Sequence, residues 1–137
     1  MRNKAEGFDG KYIGTDKDPN AGFLFTKPYS DFGKIFYGDS IESLKAIQDI
    51  DLFINDSDHS ADYEYHEYLT IAANLTPNAI ILGDNSHISD SLRRFSEERH
   101  RHFLFFPEKP KDHWYPGAGI GISFRPNVFK SDARSSS

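Results

Sequence analysis

The sequence has no cysteine and no long apolar run, and each absence excludes a class of structure. Without cysteine the chain has no disulfide, no thiol nucleophile and no thiolate metal site. A membrane-spanning helix is not expected, because it would need about 18 consecutive apolar residues. Residues 1–6 lack the apolar segment of a secretory signal. These absences predict a soluble, cytoplasmic protein.

Positive charge is scarce relative to negative charge. The chain has 16 Lys and Arg against 21 Asp and Glu, a formal net charge of -5. This balance argues against general binding to nucleic acids or membrane surfaces, which are polyanionic. The basic clusters that do occur, Arg93-Arg94 and 99–102, fit a helix face and its C-terminal end, where cations suit the helix dipole. We therefore expect neither nucleic acid nor membrane as a partner.

Size and composition indicate one globular domain. The 137 residues are 37% hydrophobic and 15% aromatic, which is typical of a chain that buries a core. We predict a single domain over residues 1–130 and a polar, disordered tail over 131–137.

Short apolar runs alternate with helical periodicity along the chain. The predicted order is β–β–α–β–α–β–α–β–β, that of an α/β fold with an open, mostly parallel sheet. Right-handed crossovers would place helices on both faces, and the last two strands would form an antiparallel hairpin. The predicted strands cover residues 11–15, 34–37, 51–54, 79–82, 103–106 and 120–124.

The helical segments carry their own boundary and burial predictions. Ser40 is predicted as the N-cap of the first helix. The second helix runs from residue 60 or 62 to about 75, and the third covers 86–99. Their core-facing positions are predicted to be Tyr65, Leu69, Ile71, Ala72 and Leu75 in the second helix, and Ile88, Leu92 and Phe95 in the third.

Acidic residues follow two predicted strands at the point where each strand ends. Asp56 comes after the run 52–54, and Asp84-Asn85 comes after 79–82. Ligands of open parallel sheets bind beyond the carboxyl ends of the strands. Asp56, Asp84 and Asn85 would deliver three hard oxygen ligands there, which suit Mg²⁺, Ca²⁺ or Mn²⁺. His59 follows Asp56 by three residues and is a candidate base beside the ion.

Structural explanations compete with these assignments. Asp16 is an ordinary turn residue before Asp18-Pro19, and the turn Gly38-Asp39-Ser40 fits a helix N-cap. Acids near Asp56 could simply enrich the first turn of a helix, and His59 could cap that helix. A metal site is nevertheless favoured for Asp56, because a second acidic strand end is expected beside it.

The segment 109–117 is unusually aromatic for a connection. It contains His113, Trp114 and Tyr115 between prolines. Two explanations stay open: a packed hairpin loop, or a functional loop that acts as a lid or as the wall of an acceptor-binding site.

These residues, over about 10–125, resemble the class I S-adenosylmethionine-dependent methyltransferases. Within that class the pattern is similar to the metal-dependent O-methyltransferases, such as macrolide-sugar methyltransferases and, more distantly, catechol O-methyltransferase. The resemblance implies a Rossmann-like fold. It also implies that Asp16 binds the ribose hydroxyls of S-adenosylmethionine and that Gly38, Asp39 and Ser40 hold the adenine.

The resemblance extends to the remaining strand ends. It implies that Asp56, Asp84 and Asn85 bind Mg²⁺ or another divalent cation, with Asp56 also near the cofactor, and that His59 is the catalytic base. The family begins with a strand and a glycine-rich loop, and Gly7 and Gly10 follow no strand here. We therefore expect the chain to be N-terminally truncated, lacking a central strand between those at 11–15 and 51–55.

The implied function is metal-assisted methyl transfer to a hydroxyl of a small molecule, for example a sugar or another natural product. One alternative is a catalytically inactive, methyltransferase-like remnant or binding protein. Another is a metal-dependent hydrolase on a similar sheet, which the ribose and adenine signatures disfavour. An unpaired sheet edge would encourage copies of the chain to form a homo-oligomer.

Overall fold

The computed structural model describes residues 7, 9–57, 60–115 and 117–126. The chain divides into two compact units, residues 1–46 and 47–137. The predicted tail 131–137 lies outside the described residues, and the prediction of one domain over 1–130 stays a prediction. Within the described part of the chain, no helix is long and apolar enough to cross a membrane.

The first unit is built on a parallel pair of strands. Strand β1 (Tyr12–Asp16) pairs with β2 (Gly33–Tyr37) from Tyr12↔Gly33 to Asp16↔Tyr37. A 3₁₀ helix, Tyr29–Phe32, leads into β2, and helix α1 (Ser40–Lys45) follows it. The parallel register brings the carboxyl ends of both strands to the same edge.

The second unit contains a four-stranded sheet in the order β3-β4-β6-β5. Strands β3 (Ile50–Asn55) and β4 (Leu75–Gly83) are parallel, whereas β6 (Gly119–Phe124) is antiparallel to both β4 and β5 (His102–Pro107). Helix α2 (Ala61–Ile71) connects β3 to β4, and a 3₁₀ helix (Asp84–His87) and helix α3 (Ser91–Glu98) connect β4 to β5. The predicted element order, the α/β class and the antiparallel C-terminal pair are confirmed.

Helix boundaries differ from the predictions for tertiary reasons. Helix α2 ends at Ile71 rather than near residue 75, because Leu75 already pairs with Ile50 at the start of β4. The predicted helix 86–99 divides into a 3₁₀ helix, Asp84–His87, and helix α3, whose N-cap is Asp90. Between them Ser89 Oγ accepts from the N–H of Ser91 at 3.1 Å.

Strand β4 is longer than predicted and carries a proline. Its register to β3 shifts between Ile50↔Leu75 and Leu52↔Ile80, so β4 has extra residues at this point. Pro77 lies inside the irregular stretch, where its missing N–H breaks no regular ladder bond. The predicted strand 79–82 starts one residue before the regular pairing with β3, which begins at Ile80.

Helices α2 and α3 pack against one face of the four-stranded sheet. Tyr68 of α2 and Phe95 of α3 are fully buried, with ring centroids 5.6 Å apart, and Tyr68 also meets Phe53 of β3 edge to face at 6.3 Å. Leu92 and Ile81 complete this core.

The buried side of α2 was predicted correctly only at Ile71, which is fully buried. The residues that it buries are Glu64, Glu67, Tyr68 and Ile71, whereas Tyr65 is half-buried and Leu69 is exposed. The prediction followed apolar spacing, but here two carboxylates occupy the inner face. For α3 the buried residues Leu92 and Phe95 agree with prediction, and Ile88 is exposed before the helix begins.

A buried arginine, Arg101, joins strands β4 and β6 of the four-stranded sheet. Arg101 Nε donates to Ser123 Oγ at 2.9 Å, and its Nη2 donates to the carbonyl oxygens of Ala79 at 2.6 Å and Ser123 at 3.2 Å. Burial, followed by the charge of Arg125, lowers the pKa of Arg101. Arg101 thus ties β4 to β6 through neutral acceptors.

The other face of the four-stranded sheet is apolar and exposed. Ile54, Leu82, Ile122 and Leu104 align in one row across the four strands. Ile54 is 61% exposed and Leu104 48% exposed. The same face includes the exposed side chains of Leu52, Phe106 and Ile120. We call this surface the apolar sheet face.

Candidate functional site

The first candidate edge lies at the carboxyl ends of β1 and β2. Asp16 stands opposite Tyr37 in the last register position, and the N–H of Gly38 donates to the carbonyl oxygen of Asp16 at 2.9 Å. This bond continues the pairing of the two strands by one step. The structure therefore brings Asp16 and the turn Gly38-Asp39-Ser40 together, and the cofactor-binding roles that the resemblance implies for them stay predictions.

Each aspartate at this edge already has a local hydrogen bond. Asp16 Oδ1 accepts from the N–H of Asp18 at 2.8 Å, which forms an Asx turn. Asp39 Oδ1 accepts from the N–H of Glu42 at 3.0 Å, so Asp39, not Ser40, is the N-cap of α1. The capping explanation of this turn is thus confirmed, with the cap one residue earlier than predicted because Ser40 already has helical geometry.

Gly38 is required by the backbone and leaves room beside the turn. Its φ is +119°, a conformation that side chains disfavour. Apart from Gly38 itself and its two chain neighbours, no heavy atom of the described residues lies within 4 Å of the point that a Cβ on Gly38 would occupy. The backbone at this edge is consequently open to close approach by a ligand.

The second candidate edge lies at the carboxyl ends of β3 and β4. Asn55 and Gly83 stand opposite each other in the last register position. Asp56 and Asp84 directly follow these two residues, and both are exposed. Asn85 follows in the 3₁₀ helix and is fully buried. The backbone thus brings the two predicted acidic strand ends to adjacent positions.

The second edge offers few side chains that could hold a metal ion. Among the described residues, no group of three or more His, Cys, Asp and Glu side chains is placed to hold a metal ion. Asp56 and Asp84 are two carboxylates at one edge, and Mg²⁺ is usually held by one or two carboxylates while it keeps several waters. These residues therefore fit a weakly held, hydrated Mg²⁺ better than a closed cage of protein ligands.

The predicted base, His59, lies outside the described residues. Another histidine is placed beside this edge: His87 Nδ1 lies 3.2 Å from the carbonyl oxygen of Asp84. His87 also lines a shallow cavity of about 260 Å³, and the first of its lining residues, Ser86, directly follows Asp84-Asn85 in the sequence. This cavity is lined by Ser86, His87, Ile88, Ser89, Asp90, Arg93 and Phe103.

The aromatic loop is not packed at its centre. Trp114 is 87% exposed, and its ring centroid lies 5.4 Å from that of His113 and 6.2 Å from that of Tyr115. A packed hairpin loop would bury its tryptophan, because an indole ring is among the largest apolar groups. The exposure of Trp114 therefore disfavours the packed hairpin loop, and the lid or acceptor-binding wall stays a prediction.

Sequence reasoning missed two buried carboxylates on α2. Glu64 and Glu67 are 1% and 2% exposed. Glu64 Oε1 accepts from the hydroxyl of Tyr68 at 2.5 Å. Burial first, and then this bond, raise the pKa of Tyr68 far above its usual range, so Tyr68 stays a neutral donor. The spacing Glu64-x-x-Glu67-Tyr68 on a helix that follows an acidic strand end was the available signal.

Glu67 binds the end of strand β3. Its Oε2 accepts from Asn55 Nδ2 at 2.6 Å and from the hydroxyl of Ser57. Asn55 Oδ1 in turn accepts from Ser57 Oγ at 3.3 Å. Asn55, Ser57 and Glu67 form a network that we call the Glu67 network.

Comparison with protein-family models shows which family the chain belongs to. A family model described as "Methyltransferase domain" matches residues 1–86, which is more than half of the chain. The chain belongs to this methyltransferase-domain family. The match contains both candidate edges, from β1 through Asp84-Asn85. Comparison with curated proteins gave no match.

Solved structures show the same fold at low sequence identity. A methyltransferase from Geobacter sulfurreducens matches with a TM-score of 0.54 and 20% identity, over 84% of this chain and 58% of its own. An O-methyltransferase from Bacillus cereus in complex with SAH gives 0.63 and 14%, over 85% and 63%. Spermidine synthase from Thermotoga maritima gives 0.60 and 11%, over 84% and 45%.

These similarities establish the fold of this methyltransferase-domain chain. The Rossmann-like prediction is confirmed, since three structures of that class superpose on it. The chain spans about half to two thirds of the length of those structures. One of the three is not a methyltransferase by name, so the shared fold does not by itself determine the reaction.

Proposed function

We propose that this chain forms part of an S-adenosylmethionine-dependent O-methyltransferase that acts on a hydroxyl of a small molecule with help from a divalent cation. The observation that carries the proposal is the first edge. There Asp16 and the Gly38 turn are joined by a backbone hydrogen bond, inside a region that matches the methyltransferase-domain family. The solved O-methyltransferase that is similar in fold was crystallised with SAH.

The residues of this edge fit a nucleoside. Ribose hydroxyls are donors, and Asp16 offers a carboxylate of which one oxygen serves the Asx turn. The open space beside Gly38 would admit the flat face of adenine, next to Asp39 and Ser40. When bound, S-adenosylmethionine supplies a methyl group on a positively charged sulfur.

The second edge would serve the acceptor. Asp56 and Asp84, with Asn85, would hold Mg²⁺ or a similar cation, which lowers the pKa of a bound hydroxyl. His59 would take the proton of that hydroxyl, because an imidazole with a pKa near 6.5 accepts protons at neutral pH. The cavity beside Asp84-Asn85 supports an acceptor of small size, and the exposed rings of Trp114 and Tyr115 would contact its apolar parts.

Calorimetric titration with S-adenosylhomocysteine, with and without Mg²⁺, tests the cofactor part of this proposal. Asp16→Asn and Asp39→Asn are the informative variants, because asparagine keeps the turn and the N-cap while removing the carboxylate. Both should weaken binding about tenfold, as expected for the loss of a hydrogen bond to a charged group. Asp31→Asn removes the same charge from an exposed 3₁₀ position of the same unit and should leave binding unchanged.

The alternative is a non-catalytic member of the family. A folded wild-type chain that binds no S-adenosylhomocysteine at millimolar concentration would contradict a cofactor site in this chain and support the alternative. Binding that is equally strong in Asp16→Asn would instead contradict the role of Asp16.

A further inference from the structure

The Glu67 network contains the residues on both sides of Asp56, the aspartate at the end of β3. Asn55 and Ser57, on either side of Asp56, both donate to the same oxygen of Glu67. Asn55 is 2% exposed and Ser57 is half-buried, whereas Asp56 between them is exposed. The backbone on both sides of Asp56 is therefore fixed from the interior while its carboxylate faces solvent.

We propose that Glu67 is a positioning residue that holds Asp56 beside Asp84 at the end of the sheet. That Asp56 binds a cation rests on the proposed function. That Glu67 fixes the backbone around Asp56 rests on the hydrogen bonds of Glu67 alone. The side chains of successive residues in an extended segment point in opposite directions, so a shift of one residue reverses the direction of each side chain. Loss of the hydrogen bond from Asn55 or Ser57 to Glu67 would free the turn after β3 to shift, and the carboxylate of Asp56 would then point elsewhere.

The burial of Glu67 supports this assignment. A carboxylate removed from water is costly unless it is fully hydrogen-bonded. An apolar residue at this inner position of α2 would pack the helix against the sheet without that cost. Glu67 Oε2 instead accepts hydrogen bonds from the residues before and after the exposed Asp56. This contact pattern is expected of a residue that orients a ligand-binding neighbour.

Glu64 provides a matched control. It is the same residue type on the same helix, one turn earlier and equally buried, but it accepts from Tyr68 rather than from the β3 turn. The variants are Glu67→Leu, which removes the acceptor, Glu67→Gln, which keeps an acceptor oxygen in the same shape, and Glu64→Leu. Any general effect of an apolar residue in α2 appears in both leucine variants.

Amide hydrogen exchange by NMR is the first measurement, because it needs no ligand. The rate at Asp56 and Ser57 is compared with that at Ile81 in the core of β4, which corrects for global stability. Glu67→Leu should speed exchange at Asp56 and Ser57 about tenfold relative to Ile81, because it removes the two hydrogen bonds that Glu67 accepts from Asn55 and Ser57. Glu67→Gln should restore the wild-type ratio, and Glu64→Leu should not change it. Equal ratios in both leucine variants would overturn the positioning role.

The second measurement is Mn²⁺ binding followed by electron paramagnetic resonance, with S-adenosylhomocysteine present and absent. Glu67→Leu should weaken Mn²⁺ binding about tenfold, as expected for one misplaced charged ligand, and Glu67→Gln should retain it. Wild-type protein that binds no Mn²⁺ would contradict the proposed metal site alone, and the exchange ratios would still decide the role of Glu67. Wild-type binding that Glu67→Leu does not weaken would overturn the inference while leaving the proposed function intact.

Discussion

The hydroxyl of Tyr68 lies 2.8 Å from the point that a Cβ on Gly83 would occupy. Leu92 and Ser86 approach the same point to 3.0 and 3.1 Å, so helix α2, helix α3 and the 3₁₀ helix all meet at the last residue of β4. Glycine at this position lets the helices close over the strand directly before Asp84. The packing of α2 therefore reaches the candidate site through a residue without a side chain.

Gly83→Ala should destabilise the protein by about 1–3 kcal/mol, because a methyl group would be forced into a filled space. Urea unfolding followed by circular dichroism measures the change. The same substitution in a Tyr68→Phe background should cost less, since the nearest atom is then absent. A cost that is the same in both backgrounds would contradict the Tyr68 contact as its cause.

The acid side of the pH–stability curve should depend on Glu98. The hydroxyl of Tyr65 donates to Glu98, and Arg94 Nε donates to Glu98 Oε1 at 3.0 Å. These bonds, that of Tyr65 first, lower the pKa of Glu98 below its usual 4.5. Because the folded state favours the ionised carboxylate, its contribution is fully present above pH 4.5 and is lost as the pH falls through the lower, folded pKa.

Thermal unfolding of Glu98→Gln at several pH values checks this assignment. The midpoint of the variant should lie below that of the wild type at neutral pH, and the difference should shrink as the pH falls below 4.5. Glu97→Gln removes the same charge from the neighbouring position and should show no such convergence. A Glu98→Gln difference that is constant from neutral to acidic pH would rule out the ionic origin.

The buried Arg101 should contribute more to stability than an exposed arginine. Arg101→Met keeps the apolar stem but removes the hydrogen bonds that Arg101 donates to the carbonyl oxygens of Ala79 and Ser123, which should cost about 1–3 kcal/mol. Arg93, whose ion pair with Asp90 is exposed, gives the comparison: Arg93→Met should cost about 0–1 kcal/mol. Equal losses in urea unfolding would show that the hydrogen bonds of Arg101 only offset its desolvation.

The apolar sheet face should make the chain associate. Exposed apolar surface of this extent on several adjacent strands is uncommon in monomers. Ile54→Lys should shift sedimentation-velocity profiles toward the monomer, because a charge on this face, at its β3 edge, opposes the burial of the face. Ile88→Lys introduces the same charge at an equally exposed position off this face and should leave association unchanged. A wild-type chain that is monomeric at high concentration would contradict the prediction.

Strand ends were the most predictable feature of this chain. Asp16, Asp56 and Asp84 could be placed at strand ends because each follows a short strand-like segment within one or two residues, and the parallel registers confirm those places. Element order followed from the same alternation of periods. Helix ends were less predictable: Leu75 is drawn into β4 by pairing with Ile50, a long-range contact that local pattern does not contain.

Buried polar contacts were beyond pattern reasoning. Glu64 and Glu67 have the composition of an exposed helix face, and their burial depends on partners that are 4 to 12 residues away in sequence but adjacent only after folding. The cap at Asp39 was misplaced by one residue, since Asp39 and Ser40 are equally good caps and only the backbone conformation distinguishes them. The metal ligands and the base His59 stay predictions.

Leu44 is the sole buried side chain among described residues 7 and 9–46, although this unit carries Asp16 and the Gly38 turn. Little apolar burial means a low local free energy of opening, so this parallel pair should be the softest part of the chain. A nucleoside lying on its edge would supply interior contacts that the polypeptide itself does not. Recognition and local folding would then be one event, with part of the intrinsic affinity consumed in ordering the protein.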